Sequence, residues 1–235
     1  MISGLQRLTL LDYPGKIACT VFLGGCNFRC PFCHNGSLVV PSEISELMSD
    51  DEFFAFLDSR VGRLEGVCIS GGEPTLTPSL ADFVRKIKEK GFSVKLDTNG
   101  SRPEVLRSLI DENLLDYVAM DIKNSPENYG KTVGFNSEFG IQNSKLIESV
   151  RESAKILMHG RVDFEFRTTL CRELHSEGDI EAIGKWLSGD EKFYLQSYRD
   201  EGDLLLGGFS AYTEAERSEL LKTLRKYIPN AELRL

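Results

Sequence analysis

The chain has 235 residues, 28 of them Lys or Arg and 36 Asp or Glu, which gives a net charge of −8 and an isoelectric point near 5.1. That balance excludes the basic footprint of a nucleic-acid binder, and 41% hydrophobic with 27% charged residues is the composition of an ordinary globular protein. No apolar run approaches about 18 residues, so no membrane span is expected; the start MISGLQRLTLLDYPGK lacks the charged-then-apolar order of a secretory signal, and a cytoplasmic location follows by default.

No linker, low-complexity segment or repeat divides the sequence, so it reads as one domain, 1–235. Strand and helix alternate along it. Residues 17–23 (IACTVFL) are β-branched and apolar between Pro14-Gly15 and Gly24-Gly25, the pattern of a buried strand. Residues 50–60 open on acids and bring Phe53, Phe54 and Leu57 to one face of a helix. Residues 66–70 form a short strand running into Gly71-Gly72, and 79–90 an amphipathic helix stopped by Gly91. Then come a strand at 92–96, a proline-led helix at 103–112, a strand at 117–121 and a helix at 143–158. A strand at 162–167, a helix at 179–187, a strand at 192–196 and a helix at 211–227 complete six strand–helix units. Alternation of this kind implies a parallel sheet with helices outside it. Six units are too few for a closed eight-stranded barrel, so the expected fold is an open, partial (β/α)6 TIM-like barrel with its chemistry at the C-terminal strand ends. The extended tail 231–235 is expected to add an edge strand.

Three of the six cysteines, Cys26, Cys30 and Cys33, lie within eight residues in the loop after the first strand. A tight cysteine cluster in a reducing compartment reads as metal-binding or catalytic. Thiolates suit zinc or an iron–sulfur cluster. Structural zinc normally takes four ligands, and His34 is placed to complete a Cys3His set. Three cysteines without a fourth suit a [4Fe–4S] cluster with one iron open to a further ligand.

The C-x3-C-x-aromatic-C spacing, with Phe32 as the aromatic, resembles the motif of the radical S-adenosylmethionine (SAM) enzymes. The resemblance implies a partial (β/α)6 barrel, a [4Fe–4S] cluster on loop 24–36 held by Cys26, Cys30 and Cys33, and SAM on the open iron. Ser70-Gly71-Gly72-Glu73-Pro74 follows the second strand. It reads as a plain β–α turn or, by resemblance, as the GGEP element that receives the SAM amino group. Asp97-Thr98-Asn99-Gly100 and Asp121-Ile122-Lys123 close the third and fourth strands, where Asp121 and Lys123 share a face. These segments are similar to those of the glycyl-radical-enzyme activases, notably pyruvate formate-lyase activase. That similarity implies that Asp97, Thr98 and Asp121 help bind a monovalent cation and that Lys123 meets the SAM carboxylate. Arg167, at the end of the fifth strand, is placed to reach the same mouth.

The segment GLQRLTLLDYPGKIACTVFLGGCNFRCPFCHN, together with Glu165-Phe166-Arg167-Thr168-Thr169, looks most like the activating proteins of anaerobic ribonucleoside-triphosphate reductase. The implied partners are that reductase and a low-potential electron donor. Pyruvate formate-lyase activases carry a histidine near the nucleoside after the sixth strand, whereas this sequence reads Ser197-Tyr198-Arg199. The alternatives are an activase of another glycyl radical enzyme, a radical SAM enzyme acting on a small molecule such as a pterin, and a non-catalytic zinc or electron-transfer module. Of the remaining residues, Cys19, Cys68 and Trp186 read as core, Cys171 as a loop thiol, and His159 and His175 as surface or turn residues.

Overall fold

The computed structural model describes residues 2–39, 48–134, 143–189, 192–200 and 204–234. One eight-stranded sheet runs through them in sequential order: β1 (Ile2–Thr9), β2 (Ala18–Leu23), β3 (Gly66–Gly71), β4 (Ser93–Thr98), β5 (Tyr117–Asp121), β6 (Asp163–Leu170), β7 (Phe193–Ser197) and β8 (Glu232–Arg234). From β2 to β8 every neighbour pairs in parallel, and α2 (Asp50–Asp58), α3 (Leu80–Glu89), α4 (Pro103–Asp111), α6 (Asn143–His159), α7 (Glu177–Trp186) and α8 (Glu214–Arg225) make the crossovers. These are the six expected units of the partial barrel, with the expected edge strand at β8.

The N-terminal strand β1 was not legible in the sequence. It pairs antiparallel to β2 with two register shifts, and most of its middle is solvent-facing. Backbone pairing makes it a strand, so its side chains carry no period. Two single-turn helices, α1 (Gly36–Val39) and α5 (Tyr129–Thr132), and the 3-10 turn Pro74–Leu76 are too short to show one.

Within β2 to β7 the alternation of side chains separates two environments. Val21, Leu23, Val67, Ile69, Val94, Leu96, Val118, Met120, Phe166, Phe193 and Leu195 join the apolar core under the helices. Their strand neighbours at odd spacing, among them Thr20, Cys68, Ser70, Lys95, Asp97, Glu165 and Arg167, form the other face. That face is concave, because its side chains meet across non-adjacent strands. Arg167 of β6 reaches Asp97 of β4 (3.6 Å), and Arg234 of β8 grips both oxygens of the buried Glu165 of β6 (2.6 and 2.9 Å). At the N-terminal end, Tyr13 packs with Ala18 and Tyr117 and closes the floor. A Cβ at Gly66 would sit 2.9 Å from the Tyr13 ring, so only glycine admits that plug. Among the described residues no helix is long and apolar enough to cross a membrane.

The start of α7 lies two residues ahead of its expected position because Ser176 and Asp179 cap each other reciprocally. Asp179 also takes hydrogen bonds from Ser125 Oγ (2.6 Å) and Asn128 Nδ2 (2.7 Å), tying the loop after β5 to this helix. Burial pushes its carboxyl up, but these donors outweigh burial and hold it at about 2, below the ordinary 3.8. The stabilisation is therefore present above pH 4 and is lost as pH falls toward 2. Asp179→Asn should cost about 1–2 kcal/mol at pH 7. In urea unfolding across pH the gap to wild type should close between about pH 4 and pH 2; a gap unchanged over that range would mean the charge contributes nothing.

Candidate functional site

The cysteine loop has no regular structure through residue 35, and its shape comes from ties to the ends of the strands. Asn27 Nδ2 donates to Ser101 Oγ (2.9 Å), and its carbonyl accepts from Asn99 Nδ2 (3.0 Å), both just beyond β4. The Arg29 amide donates to Val133 O after α5 (2.9 Å). Asn35 Nδ2 donates to Gly71 O at the end of β3 (3.1 Å). From the segment after β7, the amides of Leu205 and Leu206 reach Cys33 O (3.0 Å) and Pro31 O (2.9 Å).

Gly71 and Gly72 are required by close backbone approach. Gly71 has φ +119°, and a Cβ there would lie 2.3 Å from Leu23 O; one on Gly72 would lie 2.1 Å from Gly25 O. With no side chains in the way, Gly72 N donates to Leu23 O (2.8 Å) and Glu73 N to Gly25 O (2.7 Å), so the two loops lie against each other. Glu73 is buried. Its oxygens accept from Thr98 Oγ1 (2.8 Å), Asn99 N (2.7 Å), Thr75 N (3.1 Å) and Thr75 Oγ1. Burial pushes its carboxyl up while these four donors pull against it. Glu73 thus joins the turn after β3 to the end of β4.

All eleven residues singled out from the sequence line a single cavity of about 250 Å³: Cys26, Cys30, Cys33, Gly71, Gly72, Glu73, Asp97, Thr98, Asp121, Lys123 and Arg167. It opens at the C-terminal ends of the parallel strands. On its strand side the charges alternate. Asp97 accepts from Lys95 Nζ and from Ser70 Oγ (3.0 Å). Arg167 stands between Asp97 (3.6 Å) and Asp121, to which its Nε donates (2.9 Å). Lys123 Nζ donates to the other Asp121 oxygen (3.0 Å). Burial alone would raise the Asp121 carboxyl; Arg167 and Lys123 hold it at about 2 instead. On the facing wall, burial pushes the thiols of Cys26 up to about 11 and Cys30 up to about 12, with Lys123 pulling both down. Binding of a soft metal centre must therefore displace protons, and the nearby ammonium favours the thiolates that result.

The donor set fits an iron–sulfur cluster: three thiols on one wall of one cavity, with Cys26 Sγ already accepting the Phe28 N–H (3.3 Å). His34 is engaged elsewhere, its Nε2 2.6 Å from Arg199 O and its ring 5.6 Å from that of Tyr198. Among the described residues no three His, Cys, Asp or Glu side chains group closely enough to hold a single metal ion. The segment Ser197-Tyr198-Arg199 is thus packed on the cysteine loop, with Tyr198 buried.

Of the remaining residues, His159 and Cys19 match their sequence reading and others differ. His175 is buried, not a surface or turn residue. Its Nδ1 accepts the Cys171 N–H (3.1 Å), which leaves Nε2 to donate to Lys123 O (2.8 Å), so it props the loop that carries Lys123. Cys171 is fully buried beside it, His159 is exposed, and Trp186 is half-buried against Tyr129. Cys19 joins the apolar core, whereas Cys68 faces the concave interior, 3.7 Å from Lys95 Nζ. Lys95 was missed altogether; its place two residues before Asp97 in a strand was the available signal.

The sequence model of the radical SAM superfamily matches residues 20–178. A Methanocaldococcus jannaschii protein that carries the provisional name glycyl-radical enzyme activating enzyme is 34% identical over 241 residues, covering 100% of this chain and 95% of its own length. The pyruvate formate-lyase-activating enzyme of Clostridium pasteurianum is 29% identical over 161 residues, 63% of each chain. Among solved structures, Streptococcus suis SuiB bound to S-adenosylmethionine shares the fold with a TM-score of 0.63 at 14% identity, over 92% of this chain and 51% of that one. On its motif, its strand-end site and these relationships, the chain belongs to the radical SAM superfamily, users of a [4Fe–4S] cluster and SAM, in its glycyl-radical enzyme activating branch.

Proposed function

We propose that this protein installs a glycyl radical on an anaerobic ribonucleoside-triphosphate reductase. Cys26, Cys30 and Cys33 would hold a [4Fe–4S] cluster, which would supply the electron for reductive cleavage of SAM to methionine and a 5′-deoxyadenosyl radical. Gly71 and Gly72 present backbone to the SAM amino group, Lys123 and Arg167 face its carboxylate, and Asp97, Thr98, Asp121 and Glu73 hold those groups in place. One electron enters from a low-potential donor. One hydrogen atom leaves the glycine α-carbon and ends on 5′-deoxyadenosine, and the unpaired electron stays on the glycine. The cavity's acids and bases are tied to one another, as suits hydrogen-atom transfer, which needs no general base. The observation that carries this reading is the single cavity that joins the three thiols to the strand-end charges. Its sheet does not close, since β8 pairs with β7 and β1 with β2, which leaves room at the mouth for a glycine-bearing loop. The reductase is favoured by the likeness of the N-terminal segment and of Glu165–Thr169. None of the six cysteines is joined to another in a disulfide, which fits a cytoplasmic location.

Cys19, Cys68 and Cys171 are each buried and none of them lines the cavity that holds the other three thiols, so one cluster per chain is expected. Reconstituted protein should contain about four irons; about eight would mean a second cluster. Lys123→Ala should weaken SAM binding about ten- to hundred-fold in calorimetric titration and leave the iron content unchanged; unchanged affinity would make Lys123 merely the partner of Asp121. Mixing the reduced protein, SAM and the reductase without oxygen should give a glycyl doublet in electron paramagnetic resonance that Cys30→Ala abolishes. A doublet only on a different glycyl radical enzyme would change the partner, and a modified small molecule with no protein radical would overturn the activase reading.

A further inference from the structure

Lys95 sits in the interior of the barrel with 1% of its surface exposed. A lone ammonium there would cost several kcal/mol, and it persists only because it is paired. Its Nζ donates to Asp97 Oδ1, and its other polar neighbour is the Cys68 thiol at 3.7 Å. Arg167 is the third charged group facing this point; Asp12, in the connection between β1 and β2, sits beyond Thr20 of β2 and accepts from its hydroxyl. Lys95, Asp97, Arg167, Asp121 and Lys123 therefore form one chain of alternating charge from the barrel floor to the thiol wall. Without Lys95, Asp97 would keep the neutral Ser70 hydroxyl (3.0 Å) and, as its one cationic partner, Arg167 at 3.6 Å, which makes its closer contact with Asp121. Two partly buried carboxylates would then share one guanidinium. The third group expected at a cation site is also occupied, because the Thr98 hydroxyl donates to Glu73 and accepts the Gly100 N–H (3.1 Å).

We propose that Lys95 is a positioning residue that acts as a built-in counter-ion, taking the place of a bound monovalent cation at Asp97, Thr98 and Asp121. It fixes the Asp97 carboxylate and thereby leaves Arg167 and Lys123 oriented toward the carboxylate of the substrate. The inference rests on the reading that this cavity binds SAM. It follows that SAM binding here is indifferent to potassium and sodium, and that removing Lys95 creates a cation requirement.

The test measures SAM affinity of the cluster-loaded wild type and Lys95→Met by calorimetry in potassium, sodium and tetramethylammonium chloride at equal ionic strength. Thermal unfolding of the cluster-free proteins is recorded in the same three salts. Wild type should vary by less than about twofold in affinity and show no specific shift in melting temperature. Lys95→Met should lose about tenfold or more in tetramethylammonium and recover in potassium or sodium, and its melting temperature should rise with those ions alone. A merely structural loss would not respond to the identity of the cation. Dependence of the wild type on potassium or sodium overturns the proposal, and so does a Lys95→Met protein that binds as wild type in tetramethylammonium. If Lys95→Met does not fold, the wild-type comparison decides by itself. If wild type binds no SAM in any salt, the reading of the cavity fails, and the unfolding measurements still decide whether Lys95 replaces a cation.

Discussion

The site depends on one constraint: a parallel strand covered by helices on one face and curled on the other has no solvent-facing side. Charged residues on the concave face must find partners inside the molecule. This protein meets the constraint with ion pairs between strands that are not neighbours in the sheet. Arg167 of β6 reaches past Asp121 of the adjacent β5 to Asp97 of β4, and Arg234 of β8 closes on Glu165 of β6. Each pair requires the sheet to curve enough to bring its partners within about 4 Å. Curvature and charge placement are thus one requirement, and the cavity is the space left where the pairs end.

Above the strands, the cysteine loop carries the thiols but has almost no structure of its own. A loop of this kind would ordinarily be mobile, and a three-thiol centre tolerates little movement. Here polar side chains and backbone groups from beyond β3, β4, α5 and β7 each hold a different residue of it. The glycines of the second loop act in the same sense. Alanine at Gly71 or Gly72 would drive a methyl into the backbone of Leu23 or Gly25 and part the two loops before any ligand arrived. Glu73 has a comparable place, since its four donors come from its own turn and from the end of β4. A carboxylate that the motif alone presents as a ligand contact is, in the fold, the joint between two loops.

What the sequence revealed and what it concealed follow from range. The six units, the open barrel and the edge strand were legible because apolar periodicity and turn residues act locally. The site residues were legible because they occur in short motifs at strand ends. β1 was illegible because its backbone, not its side-chain pattern, makes it a strand. Lys95 resembles any solvated lysine until the curvature of the sheet makes its side of β4 an interior. His175 gave no signal because its role is a contact across 52 residues with the carbonyl of Lys123. The ties of Asn27 and Asn35 are equally remote, and remote polar contacts have no period in a sequence.

Lys123 shows how far that remote scaffold reaches. Its ammonium is held by Asp121, its carbonyl by His175, and its amide by the hydroxyl of Tyr129 (3.3 Å), itself a fully buried ring. Groups from β5, from α5 and from the turn before α7 thus restrain one residue, side chain and backbone, before any ligand binds. A free lysine would lose about 2 kcal/mol of rotamer entropy on being ordered by a ligand. Here folding has already paid most of that loss, so a carboxylate entering the cavity meets a cation whose position is set. The same restraint keeps the ammonium beside the thiol wall, where it favours the ionised form of the cysteines. One prearranged charge therefore serves both walls of the cavity, and the buried histidine beneath it, chemically silent toward any ligand, is part of how the site binds.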